Sequence, residues 1–181
     1  MFLLFLGITA LFGALTFAYI YTRIDKEMPS IHIPWLFVIN SIVLASSSYF
    51  IQQCRKQFDL QNDKLVLQNG YLTVLSTVTF LILQSIAWNQ LMQQQLLPGS
   101  SGGHGYLYAI SILHFLHVVA GFPFLIRILW PLYLAHKEGT VALFFISDPN
   151  RRKLKHTAWY WHFIDVMWIY LVGFFLINSL L

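Results

Sequence analysis

Charge is scarce in this chain. Of 181 residues, 11 are Lys or Arg and 7 are Asp or Glu, 10% in all. A water-soluble domain carries about 25% charged residues, so a soluble globule is set aside and a membrane-embedded protein is expected. Cysteine occurs once, as Cys54, which excludes a disulfide framework and any multi-cysteine metal site. The sequence has no HExxH or CxxC pattern, no glycine loop that could cradle a phosphate, and no nucleophile–base or carboxylate pair. The net charge of +4 gives no reason to expect a nucleic-acid partner. Acid is nearly absent from the apolar runs, where Asp165 is the only carboxylate lying well inside one.

What the chain does have is hydrocarbon: 57% hydrophobic residues, 17% aromatic residues and a mean hydropathy of +0.64. Five stretches, approximately 2–22, 34–54, 69–91, 105–134 and 158–180, are long enough to cross about 30 Å of bilayer. The predicted fold class is therefore all-α, a polytopic bundle of five transmembrane helices forming a single domain over residues 1–181. The first stretch lacks a basic leader and a small-residue cleavage site, and reads as a retained helix rather than a signal peptide. Pro34 suits the first turn of the second helix, and Pro98 with Gly99 to Gly103 marks a break before the fourth. Pro123 and Pro131 should kink the fourth. Arg55, Lys56, Lys64, Arg127, Lys137, Arg151, Arg152, Lys153 and Lys155 fall on one side, with only Arg23 and Lys26 on the other. That asymmetry places the N-terminus inside and the C-terminus outside.

The candidate functional residues gather in the last two spans. Trp159 opens the decapeptide Trp-Tyr-Trp-His-Phe-Ile-Asp-Val-Met-Trp, which ends at Trp168. Helical spacing puts Trp161, Asp165 and Trp168 on one face, with His162 one turn before Asp165. An acid at the bilayer centre costs about 2.5–3.5 kcal/mol on insertion scales, so Asp165 is expected to be neutralised by His162 or by Arg127. A proton relay is the other reading of an intramembrane acid, but the first three spans carry no charged residue in their apolar cores. His114 and His117, one turn apart, invite a metal or haem site with His162. At 1.5 Å per residue their levels miss that of His162 by several ångströms, which favours histidines that hydrogen-bond between helices. Arg151, Arg152, Lys153 and Lys155 read as an inner basic rim, a cytoplasmic loop able to touch anionic headgroups. Asn40, Ser46 to Ser48, Thr77, Thr79 and Gln84 read as inter-helix hydrogen-bonding glue.

These runs also carry a resemblance. "AWYWHFIDVMWIYLV" (Ala158–Val172) closely resembles the last-helix motif of subunit III of haem–copper terminal oxidases. "ILHFLHVVAG" (Ile112–Gly121) is similar to that family's penultimate-helix motif, with His114 and His117 at its two histidine positions. "PWLFVINSIVLASSS" (Pro34–Ser48) and "FLILQSIAW" (Phe80–Trp88) resemble two further helices through Asn40 and Gln84. Ile8 and Ala87 stand where the family usually has glutamates, and Arg127 lies about one turn before its usual basic residue. The chain resembles a short five-helix bacterial form of cytochrome c oxidase subunit III, lacking two helices of the seven-helix members. The resemblance implies an accessory subunit with no cofactor of its own, in a bacterial inner membrane. Haem and copper would belong to the partner subunit I, with subunit II and bound phospholipid as further partners. It also implies support of proton uptake and of stability during turnover. On that view Trp159, Trp161, His162, Asp165, Trp168, His114, His117 and Arg127 face lipid or a neighbouring subunit. Other readings are subunit III of a quinol oxidase, an accessory protein of nitric oxide reductases, and, from another class, a small transporter or a haem-binding membrane cytochrome.

Overall fold

The computed structural model describes residues 2–28, 33–97 and 102–180. All the regular structure among them is helical: α1 (Phe2–Asp25), α2 (Trp35–Asp59), α3 (Asp63–Gln93), α4 (Gly102–Glu138), α5 (Val141–Ile146) and α6 (Asp148–Leu180). Five of these, all but the short α5, are long and apolar enough to cross a membrane, in agreement with the five apolar runs. The break at Pro98 to Ser101 lies outside the described residues, and α4 runs unbroken through Pro123 and Pro131.

The helices outlast the apolar runs that announce them. α6 begins at Asp148, ten residues before the hydropathy signal, so Arg151, Arg152, Lys153 and Lys155 form its first turns rather than a loop. Hydropathy marks what hydrocarbon tolerates, whereas backbone bonding continues until a residue stops it. Pro149 is no obstacle there, because the first turn of a helix needs no N–H from it. Four helices stop with a residue in the left-handed region: Glu27 (φ 47°), Gln61 (φ 56°), Gln95 (φ 59°) and Gly139 (φ 70°). In each case the next amide reaches back five residues, as Asn62 N–H does to the Gln57 carbonyl at 3.0 Å.

Contacts divide the chain into two compact units. The first comprises Met1–Ser41, Leu81–Leu116 and Val166–Leu181. Aromatic rings fill it: Phe37 stacks on Trp168 at 5.7 Å, and Tyr19 meets Tyr106, Phe174 and Phe175 edge-on at 5.6–6.0 Å. Such pairs add about 0.5–1.5 kcal/mol each beyond their buried area, in a setting where burial alone drives little association. The Arg23 guanidinium donates to the Asn178 carbonyl at 2.8 Å and to its Oδ1 at 3.1 Å, tying the end of α1 to the end of α6.

The second unit comprises Ile42–Phe80 and His117–Asp165. Two glycines set its helix approaches. A side chain at Gly70 would collide with Leu129, and a Cβ at Gly121 would lie 2.6 Å from the Trp161 ring. Close backbone approach through small residues is the usual device where lipid tails are as apolar as the core. At the helix ends Arg151 pairs with Asp59 at 2.8 Å and His136 with Asp63 at 2.6 Å, while Phe58 packs on Phe144 and Phe145 of α5.

Replacing Gly121 with Ala should lower the thermal midpoint in detergent, by the equivalent of about 1–3 kcal/mol, because the rigid Trp161 ring must move. Gly13→Ala, with nothing within 4 Å of the added carbon, serves as the control and should not lower it.

Candidate functional site

Three consecutive serines on α2 organise the polar interior of the second unit. Successive helical residues point about 100° apart, so Ser46, Ser47 and Ser48 face different neighbours. Ser46 Oγ meets Ser76 on α3 at 3.4 Å. Ser47 Oγ accepts the indole N–H of Trp161 at 2.8 Å and meets Thr77 Oγ1 at 3.3 Å, so one hydroxyl joins α2, α3 and α6. Ser48 Oγ lies 2.6 Å from His162 Nδ1, and His162 Nε2 lies 3.3 Å from Gln52 Oε1. An amide oxygen only accepts, so Nε2 carries the proton, and in the neutral ring Ser48 then donates to Nδ1.

Asp165 is 4% exposed, and Ser48 is the hydroxyl facing its carboxyl. Its Oδ2 has no hydrogen-bond partner. Neither neutraliser expected from the sequence reaches it. His162 is turned to Ser48 and Gln52, and Arg127 is exposed on α4. Two ion pairs occur among the described residues, His136–Asp63 and Arg151–Asp59, and neither includes Asp165. Adjacency at i, i+3 suggested His162, but the hydroxyl of a neighbouring helix is the better-placed partner. The signal was available in the Ser46–Ser48 triplet, which the sequence reading assigned to general glue.

The remaining predicted residues divide between the units. In the second, Trp161 is buried and Tyr160 O–H donates to the backbone carbonyl of His117 at 2.9 Å, while the His117 side chain is half-buried. Trp159 is exposed, with the Lys155 ammonium 5.1 Å from its ring. Arg152 and Lys153 are exposed beside Arg151 on the first turns of α6. In the first unit, His114 is buried with its ring 4.8 Å from Trp168 and 6.4 Å from Phe12. There too, Asn40 Nδ2 donates to Gln84 Oε1 at 2.9 Å, both side chains fully buried. Thr79 bonds the Leu75 carbonyl of its own helix and links nothing. Among the described residues no group of three or more His, Cys, Asp or Glu is placed to hold a metal ion.

A family model described as cytochrome c oxidase subunit III matches residues 14–179. Relatives carrying the name cytochrome c oxidase subunit 3 include that of Paracentrotus lividus, 31% identical over 74% of this chain and 47% of its own length. That of Patiria pectinifera is 29% identical over the same shares. The Spodoptera frugiperda protein is 27% identical over 74% of this chain and 83% of its own length. The chain thus spans about half the length of the first two relatives.

The Asn40–Gln84 pair yields a sharp test. Asn40 Oδ1 and Gln84 Nε2, the atoms outside that bond, have no partner. Asn40→Leu alone should cost about 1–3 kcal/mol by orphaning the Gln84 amide, whereas the Asn40→Leu/Gln84→Leu double variant should be near neutral or more stable. Thermal unfolding in detergent, followed by circular dichroism, reads both.

Proposed function

The chain belongs to the cytochrome c oxidase subunit III family, and from that premise we propose that it is a non-catalytic accessory subunit of an aerobic respiratory haem–copper oxidase. The observation that carries the reading is the match over residues 14–179. The inward-turned polar groups of α6 support it, since Trp161 and His162 satisfy themselves on α2 serines. In this reading subunit I holds the haem and copper and reduces oxygen to water. This chain packs against it beside subunit II, holds phospholipid, and supports proton uptake and stability during turnover. The membrane in this reading is a bacterial inner membrane, and the Lys and Arg excess on one side supports an N-terminus that faces inside. Electron donor, cytochrome c or quinol, belongs to the other subunits of such a complex.

Two properties fit a membrane-embedded accessory subunit. Large apolar side chains such as Phe2, Phe17, Ile42 and Leu143 are exposed at 69–78%, a surface for lipid or protein neighbours. The one deeply buried acid faces a hydroxyl on its own chain rather than a series of protonatable groups.

Purification of the tagged chain from its native membrane in mild detergent should bring down a haem- and copper-bearing partner of about a dozen spans. The chain expressed alone should show no Soret absorption. A Soret band from the isolated chain, or purification with no haem protein, would overturn the reading. Asp165→Asn should lower both partner yield and retained phospholipid severalfold, and unchanged values of both would remove Asp165 from the assembly role.

A further inference from the structure

The second unit carries an open apolar groove that none of the interactions above uses. Leu67, Tyr71 and Val74 of α3 form one wall, and Ile126, Trp130 and Tyr133 of α4 the other, around a volume of about 430 Å³. Leu129, seated against Gly70, forms the floor. A larger side chain at Gly70 would displace the Leu129 side chain from that floor.

The lining residues recur at intervals of three and four, so each wall is one helical stripe. Continued by one turn, the α3 stripe reaches Lys64, three residues before Leu67. The α4 stripe reaches Lys137, four residues after Tyr133. Asp63 Oδ2 and His136 Nδ1 lie 2.6 Å apart, which brings the start of α3 beside the end of α4. Both lysines therefore stand at the same end of the groove, both exposed, with the neighbouring Asp63 carboxylate already engaged by His136.

We propose that this groove holds one acyl chain of an anionic phospholipid, with its headgroup phosphate bound between Lys64 and Lys137. The inference deepens the lipid part of the reading above and rests on it for the membrane setting. Seven residues of wall make a slot about 10 Å long, two turns of helix, which is short of the area a stable protein interface needs. Its aromatic rim of Tyr71, Trp130 and Tyr133 offers flat apolar faces to a methylene chain, and the paired ammonium groups select a phosphate with no cationic neighbour.

The test uses the full chain in phosphatidylcholine vesicles doped with brominated-chain phosphatidylglycerol or brominated-chain phosphatidylcholine. Bromine quenches tryptophan on contact, and the difference between the parent chain and Trp130→Phe isolates the Trp130 signal. Brominated phosphatidylglycerol should quench Trp130 at about thirtyfold lower mole fraction than the phosphatidylcholine probe, the factor expected for two lysines near the surface. In Lys64→Gln/Lys137→Gln the preference should vanish while quenching by the zwitterionic probe remains. Equal quenching by both probes in the parent chain, a preference that persists in the double variant, or a Trp130 that neither probe reaches would each overturn the proposal. Haem-partner yield, scored separately on native membranes, keeps the two readings apart. A partner without the lipid preference sinks the groove alone, and a preference without a partner sinks the accessory role alone.

Discussion

The hydrogen bond from the Trp161 indole to Ser47 is the constraint on which the second unit depends. In hydrocarbon a side-chain donor has no water to fall back on, so one left without a partner within protein is costly. Ser47 serves Trp161 and Thr77 at once, and Ser48 beside it donates to His162 and faces Asp165. Gly121 then allows the Trp161 ring to come close to α4, where an added Cβ would collide with it. Three helices are thus fixed around one turn of α2 by interactions worth of the order of 0.6 kcal/mol each, significant because apolar burial contributes so little between membrane helices.

The first unit solves the same problem with rings. His114 lies between Phe12 and Trp168, and Trp168 in turn stacks on Phe37, so residues from four helices meet in one aromatic column. His114 and His162 thereby take part in ring packing and inter-helix bonding. Outside, the basic residues at the helix ends take separate tasks. Arg151 pairs with Asp59 and Lys155 covers the Trp159 ring, while Lys64 and Lys137 stand at the mouth of the α3–α4 groove.

Much of the fold was legible in the sequence because crossing a bilayer imposes a length of apolar residues that few other structures need. The helix ends were less so: the start of α6 at Asp148 and the whole of α5 lie in polar or short stretches where hydropathy carries no signal. Among the site residues, Ser46, Ser47, Thr77, Asn40 and Gln84 act as the inter-helix links their polarity suggested. Thr79 does not, since a threonine hydroxyl can bond the carbonyl one turn back and look identical in sequence. The partner of Asp165 was missed for a geometric reason. Sequence proximity pointed along α6 to His162, whereas the nearest hydroxyl, that of Ser48, comes from another helix at a separation no local pattern encodes.

A double-mutant cycle on Ser47→Ala and Trp161→Phe tests the central claim most directly, with unfolding free energies measured in the same detergent. If the indole and the hydroxyl hold α2 to α6, their coupling energy should fall at about 0.6–1.7 kcal/mol, the range found for hydrogen bonds between membrane helices. Strictly additive losses, with no coupling between the two positions, would contradict the account.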